Sequence, residues 1–169
     1  MIESCRSIGD YLTGDDPLAV VWPEVVRIVF HESTGEAHPE RLSPAARTYY
    51  FVVCFNGELV NGGMSQFFSN PTGNYSRETL AALREVGATL SASLLERALT
   101  IFPNSDAPAD HKLRCDLLFA FEKRDPKFLE DLTDVYYKRV DALGSVPEED
   151  MIQLCEEYLR KHQADRVAG

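Results

Sequence analysis

The sequence predicts an all-α fold, one compact domain of about seven to nine helices. Three observations carry this. Helix starts recur as a capping residue followed by proline, at Asp16-Pro17, Ser43-Pro44 and Asp125-Pro126. Between the starts, apolar residues return at helical spacing, as in Leu90, Leu94, Ala98 and Ile101. Glycine and proline fall where helices should stop, at Gly87 and Pro103. At 169 residues, 44% hydrophobic and 26% charged, the chain suits a single core, so residues 1–169 read as one domain.

The elements follow in order. Asp16-Pro17 opens a first helical region that Trp22-Pro23 breaks and restarts. Its β-branched run through residues 24–30 fits a helix or a buried strand, and periodicity does not separate the two. Ser43-Pro44 starts a helix that reaches Asn56-Gly57, where glycine supplies a left-handed end. Asn70-Pro71-Thr72-Gly73-Asn74 is a loop, Ser76 caps a helix that Gly87 ends, and the next segment completes a helical hairpin before Pro103. Asp110 caps a helix with Leu113, Leu117 and Phe121 on one stripe. Asp125-Pro126 opens another helix, and Pro147 opens the last one, with Glu148, Glu149 and Asp150 in its first turn.

Composition excludes several function classes. With 17 basic against 27 acidic residues the formal charge is −10, which repels nucleic acid and anionic membrane and favours a basic partner. No signal peptide is evident, and the longest apolar run, Tyr49 to Phe55, is too short to span a bilayer, so the expected compartment is the cytoplasm. Cys5, Cys54, Cys115 and Cys155 are widely separated, which fits reduced thiols rather than a zinc ribbon or redox motif. His111 and Cys115 stand at i and i+4, a two-ligand spacing without visible further ligands. Gly62-Gly63 lacks the spacing and lysine of a phosphate loop, and there is no nucleophile elbow or catalytic cysteine signature. The expectation is a protein without enzymatic activity, metal or cofactor.

The most informative stretch runs from Glu58 to Asn70, a dense mix of amides, glycines and aromatics. Asn61 can cap a helix starting at Gly62, and Gly62 and Gly63 permit close backbone approach. Phe67 and Phe68 can anchor the core, while Gln66 and Asn70 can pin the following loop through its backbone. Together with Gly73, the residues Asn61-Gly62-Gly63, Gln66-Phe67-Phe68 and Asn70 resemble the bacterial DNA-mimic protein domain family, formerly a domain of unknown function. Gly87-Ala88, Phe102-Pro103 and the helix holding Leu132 and Asp134 add looser support, so the likeness covers residues 45–140. The resemblance implies an all-helical domain, with the motif residues serving the fold. It further implies a homodimer, and a mode of action in which the protein looks like DNA to a transcription factor and blocks its DNA-binding surface.

A DNA mimic needs carboxylates with few intervening cations. On the last helix, Glu149, Asp150, Glu156 and Glu157 lie opposite the apolar stripe of Met151, Ile152, Cys155, Tyr158 and Leu159. On the helix from Asp125, Glu130 and Asp134 align, but Lys127 with Asp131, and Asp134 with Lys138, have the spacing of i,i+4 ion pairs. These six acids form the candidate surface for a basic partner such as a DNA-binding regulator. Two rival readings differ in class. One is a protein-protein interaction module whose negative charge serves solubility. The other is a small-ligand or enzyme domain with a polar pocket of Asn61, Gln66 and Asn70.

Overall fold

The computed structural model describes residues 18–25, 38–138 and 149–167. Among them every regular element is helical: α1 (Leu18–Val25), α2 (Pro44–Ser69), α3 (Ser76–Val86), α4 (Thr89–Leu99), α5 (His111–Arg124), α6 (Phe128–Tyr137) and α7 (Met151–Val167). Three short 3-10 turns, Pro39–Arg41, Pro71–Tyr75 and Pro103–Ser105, join or precede them. Glu24 and Val25 are helical, while residues 26–30, Asp16-Pro17 and Pro147-Glu148 lie outside the described residues.

The apolar run from Tyr49 to Phe55 sits on α2, and a helix apolar around much of its circumference must be covered on several sides. α2 is accordingly the hub, packed against α1, α3, α5, α6 and α7. Val52, Phe55 and Leu59 have no solvent exposure. From sequence this helix ends at Gly57, but the structure carries it to Ser69. A helical glycine costs about 1 kcal/mol, and burial of a Phe or Leu contributes about 1.5–3 kcal/mol. Phe55 and Leu59, on either side of Gly57, therefore outweigh it.

The break in α2 comes at Gly63, whose φ of 74° and ψ of −163° are essentially confined to glycine. Asn61 does not cap the second segment: it is exposed and helical. The Met64 N–H, first of the new segment, instead donates to Thr133 Oγ1 of α6 at 3.1 Å. Past the break, Phe67 meets Phe55 edge-on at 5.0 Å, and Phe68 meets Phe102 edge-on at 4.9 Å. Each such pair adds about 0.5–1.5 kcal/mol beyond its buried area.

Ser43 and Ser76 also depart from their expected capping role. The Ser43 hydroxyl donates to Glu24 Oε2 at 2.8 Å, tying α1 to the start of α2. The Ser76 hydroxyl donates to Gly73 O at 2.7 Å. Gly87 does end α3 as predicted, with φ 86°; its N–H reaches Arg84 O and the Ala88 N–H reaches Leu83 O at 2.8 Å, a Schellman closure. α3 and α4 then fold back as a hairpin.

Asp110 caps α5, its carboxylate accepting from the Leu113 N–H at 2.7 Å. The expected stripe of Leu113, Leu117 and Phe121 is not the buried side. Leu113 is half exposed, and α5 buries Arg114 and Leu118. α6 is fastened to α2 by the Tyr136 hydroxyl on Asn56 Oδ1 and the Tyr137 hydroxyl on Leu59 O. α7 begins at Met151, later than Pro147, and Asp150 is its cap, accepting from the N–H groups of Ile152 and Gln153. Tyr158 of α7 and Thr48 of α2 both donate to the Glu85 carboxylate of α3, joining three helices.

Candidate functional site

The motif between Glu58 and Gly73 is organised around one carboxylate. Glu58 Oε2 accepts from Gln66 Nε2 and Asn70 Nδ2, both at 2.8 Å, and Oε1 accepts from Thr72 Oγ1 at 2.9 Å. Gln66 and Asn70 thus pin the loop through Glu58 rather than through the loop backbone. Glu58 lies before the break at Gly63, Gln66 after it, and Asn70 is the extended residue that ends α2. No local pattern in the sequence marks Glu58 as the acceptor for these amides.

The glycines answer to neighbours distant in sequence. A Cβ at Gly63 would lie 2.5 Å from Thr133 Cγ2, and one at Gly73 would lie 2.8 Å from Arg114 Nε and 2.9 Å from Phe67 O. A Cβ at Gly62 would meet the Gln66 side chain, while Asn61 and Gly62 themselves are exposed.

Arg114 has no solvent exposure, and among the described residues no carboxylate hydrogen-bonds to it. Its guanidinium donates to four main-chain carbonyls: Nε to Phe68 O at 2.7 Å, Nη2 to Asn70 O at 3.1 Å, and Nη1 to Pro108 O and Ala109 O. Two of these close the C-terminal end of α2, where helix carbonyls lack partners and a cation is favoured. Nothing in local periodicity marks an arginine as a core residue.

The six acids of the candidate surface separate. Glu149 is only 6% exposed and leaves that surface. Its carboxylate accepts from the backbone N–H groups of Leu90 and Ser91, the latter at 2.9 Å, so it caps α4, whose own cap residue Ala88 offers no side-chain acceptor. Asp150 is occupied as the cap of α7. Glu156 pairs with Arg160 at 3.5 Å, and Asp134 with Lys138 at 3.8 Å. Glu157 is exposed and accepts from Gln153 Nε2, and Glu130 is exposed on α6. Four members therefore remain at the surface without a capping role: Glu156 and Glu157 on α7, Glu130 and Asp134 on α6. Elsewhere, Arg77–Asp106, Arg84–Glu96, Lys112–Asp116 and Lys127–Asp131 pair locally.

A cleft of about 740 Å³ opens beside the motif, between the first half of α2, the turns Pro39–Arg41 and Pro71–Tyr75, and the start of α5. Asn70 and Glu58 line it, and Gln66 joins Asn70 on the Glu58 carboxylate, while Asn61 is exposed and stands apart from the pair. His111 stands at its edge, with Nε2 2.8 Å from Ser69 O and 3.5 Å from Cys115 Sγ. Among the described residues no third metal-ligating side chain joins that pair. Burial pushes the Cys54 thiol up to about 11 and the Cys155 thiol up to about 12. No described helix is long and apolar enough to cross a membrane.

Compared with known proteins, residues 40–162 match the family described as DMP19-like protein. No curated protein and no solved structure matches the chain.

Proposed function

From the membership of this chain in the DMP19-like protein family, which spans residues 40–162, we propose that it is a non-enzymatic acidic binding protein that mimics DNA and occupies the DNA-binding surface of a transcription regulator. The observation that carries the reading is this membership in a chain whose formal charge is −10. A basic DNA-binding surface and a strongly acidic protein attract each other over distances set by ionic strength, with a Debye length of about 8 Å at physiological salt. Of the six candidate carboxylates, Glu130 and Glu157 are exposed, and Asp134 and Glu156 share the surface with their ion-pair partners Lys138 and Arg160. Glu149 is buried as a helix cap and drops out of the binding surface, while Asp150, the cap of α7, stays partly exposed.

The test is capture of partners from native lysate at low and moderate salt, with and without competing duplex DNA. The expected partner is a DNA-binding protein released by both salt and DNA. Charge reversal at Glu130 and Glu157 should weaken binding and flatten its salt dependence. A partner retained in high salt and indifferent to DNA would favour an ordinary interaction module and end the mimic reading.

A further inference from the structure

The motif residue that the fold leaves unused is Asn61. It is exposed, and among the described residues nothing holds its side-chain amide. It precedes Gly62, and an Asn-Gly pair carries its own chemistry. The glycine main-chain nitrogen can attack the asparagine side-chain carbonyl carbon, because no side chain on the following residue hinders the approach. The new C–N bond closes a cyclic imide, the Gly62 amide proton passes to water or hydroxide, and the Asn61 Cγ–Nδ2 bond breaks to release ammonia. Water then opens the imide at either carbonyl, leaving aspartate or isoaspartate.

The structure separates Asn61 from the other four asparagines of the chain. Asn70 is followed by Pro71, which has no N–H to give up. Asn74 is followed by the bulky Tyr75, and its Oδ1 is closed off from solvent. The Ser105 N–H, next after Asn104, is bonded to Phe102 O at 3.0 Å. Asn56 belongs to the other Asn-Gly pair, but it lies in the turn that buries Phe55 and Leu59, and its Oδ1 receives the Tyr136 hydroxyl at 2.5 Å.

An intact helical turn holds the main-chain nitrogen away from the side-chain carbonyl, so the reaction needs the turn at Asn61 to open. The break at Gly63 puts that turn at the end of the first segment of α2, where the Met64 N–H has left the ladder for Thr133 Oγ1. Val60, Asn61 and Gly62 are all exposed, so opening uncovers little further apolar surface, and a helical glycine already weakens the turn by about 1 kcal/mol. What closes it is Tyr137 of α6, whose hydroxyl donates to Leu59 O at 2.5 Å and to Val60 O at 3.2 Å. We propose that Asn61-Gly62 is a site of spontaneous deamidation and that the Tyr137 hydroxyl sets its rate. The product adds one carboxylate to a chain of formal charge −10, and the isoaspartyl form lengthens the main chain by one carbon beside the break. The inference does not rest on the DNA-mimic reading, and either can fail alone.

The experiment is incubation of the full chain at mildly alkaline pH, with peptide mass spectrometry at intervals and methyl transfer by a protein-isoaspartate methyltransferase to count the isoaspartyl product. Conversion is expected at Asn61 at least tenfold faster than at Asn56, with isoaspartate among the products. Tyr137→Phe should raise the Asn61 rate severalfold while the Asn56 rate and the thermal melt stay close to the parent's, because Tyr137 is 41% exposed and the variant removes one hydroxyl. Should Tyr137→Phe lower the melt, the ratio of the Asn61 rate to the Asn56 rate decides: a raised ratio supports the proposal and an unchanged ratio overturns it. Asn56 converting as fast as Asn61, aspartate formed at Asn61 without isoaspartate, or an unchanged Asn61 rate in Tyr137→Phe would equally overturn it.

Discussion

The Glu149 carboxylate accepts a hydrogen bond from the Ser91 N–H across 58 residues of sequence, at 2.9 Å, and so caps a helix to which it does not belong. α4 begins at Ala88-Thr89 without a side-chain cap of its own, and its first N–H groups point at a negative charge that complements the helix dipole. An acid that composition assigns to the surface charge is thereby part of the interior.

Replacing Glu149 by Ala should destabilise the protein by about 1–3 kcal/mol, because the buried Ser91 N–H and the part-buried Leu90 N–H lose their acceptor. Glu157→Gln, which removes an exposed charge, should stay within about 0.5 kcal/mol of the parent. Urea unfolding of the two variants measures both, and equal, small effects would remove the capping role.

Gly63→Ala should cost more than an ordinary helical substitution. The residue combines a positive φ with a Thr133 side chain 2.5 Å from where Cβ would sit, and a non-glycine residue in such backbone carries about 1–3 kcal/mol of strain before any clash. Gly57→Ala is the control: nothing lies within 4 Å of its Cβ position, and alanine there should stabilise by about 0.5–1 kcal/mol. Thermal denaturation of the pair should move in opposite directions.

Arg114→Lys keeps the charge but not the fork. One ammonium cannot reach four carbonyls that lie around a planar guanidinium, so the expected loss is about 3 kcal/mol. Gly73→Ala, which pushes against the same Nε, should fall in the same direction. Chemical denaturation of the single variants and of the double variant tests the coupling, since residues in contact give non-additive losses.

Stability should fall on the alkaline side. Burial raises the thiols of Cys54 and Cys155 from 9.0 to about 11 and about 12, and burial raises the Tyr136 and Tyr158 phenols from 10.0 to about 12. Between these limits the folded protein keeps protons that the unfolded chain releases, so the slope of stability with pH is negative. The contribution is whole below pH 9.0, where the free thiols begin to ionise, and is lost progressively as pH rises through about 12. Melting temperatures across the alkaline range should show the onset moving from 9.0 toward 10.0 in a chain carrying Cys54→Ala and Cys155→Ala together.

Much of the fold is legible residue by residue. Asp110 and Gly87 behave as their local chemistry dictates, because a cap or a left-handed end is settled within one helical turn. The same local logic misplaces the end of α2, since Gly57 is overruled by the burial of Phe55 and Leu59 on either side of it. It also misassigns α5: a stripe containing Leu113 is the more apolar one, but the α2 carbonyls need a donor, and Arg114 provides it from the other side of the helix.

By itself, the sequence determined the all-α class, the helical hairpin at Gly87, the acidic charge and, over residues 40–162, the family. These rest on spacing, capping and composition, which are carried by residues near one another along the chain. Only the tertiary structure decided that Gly63 makes room for Thr133, that Gly73 makes room for Arg114, that Glu58 gathers the motif amides, and that Glu149 lies inside rather than on the binding face. Except for the Glu58 contacts, those outcomes join residues 41 to 70 positions apart, and a pairing at that range is fixed by how helices pack, not by any pattern within one of them.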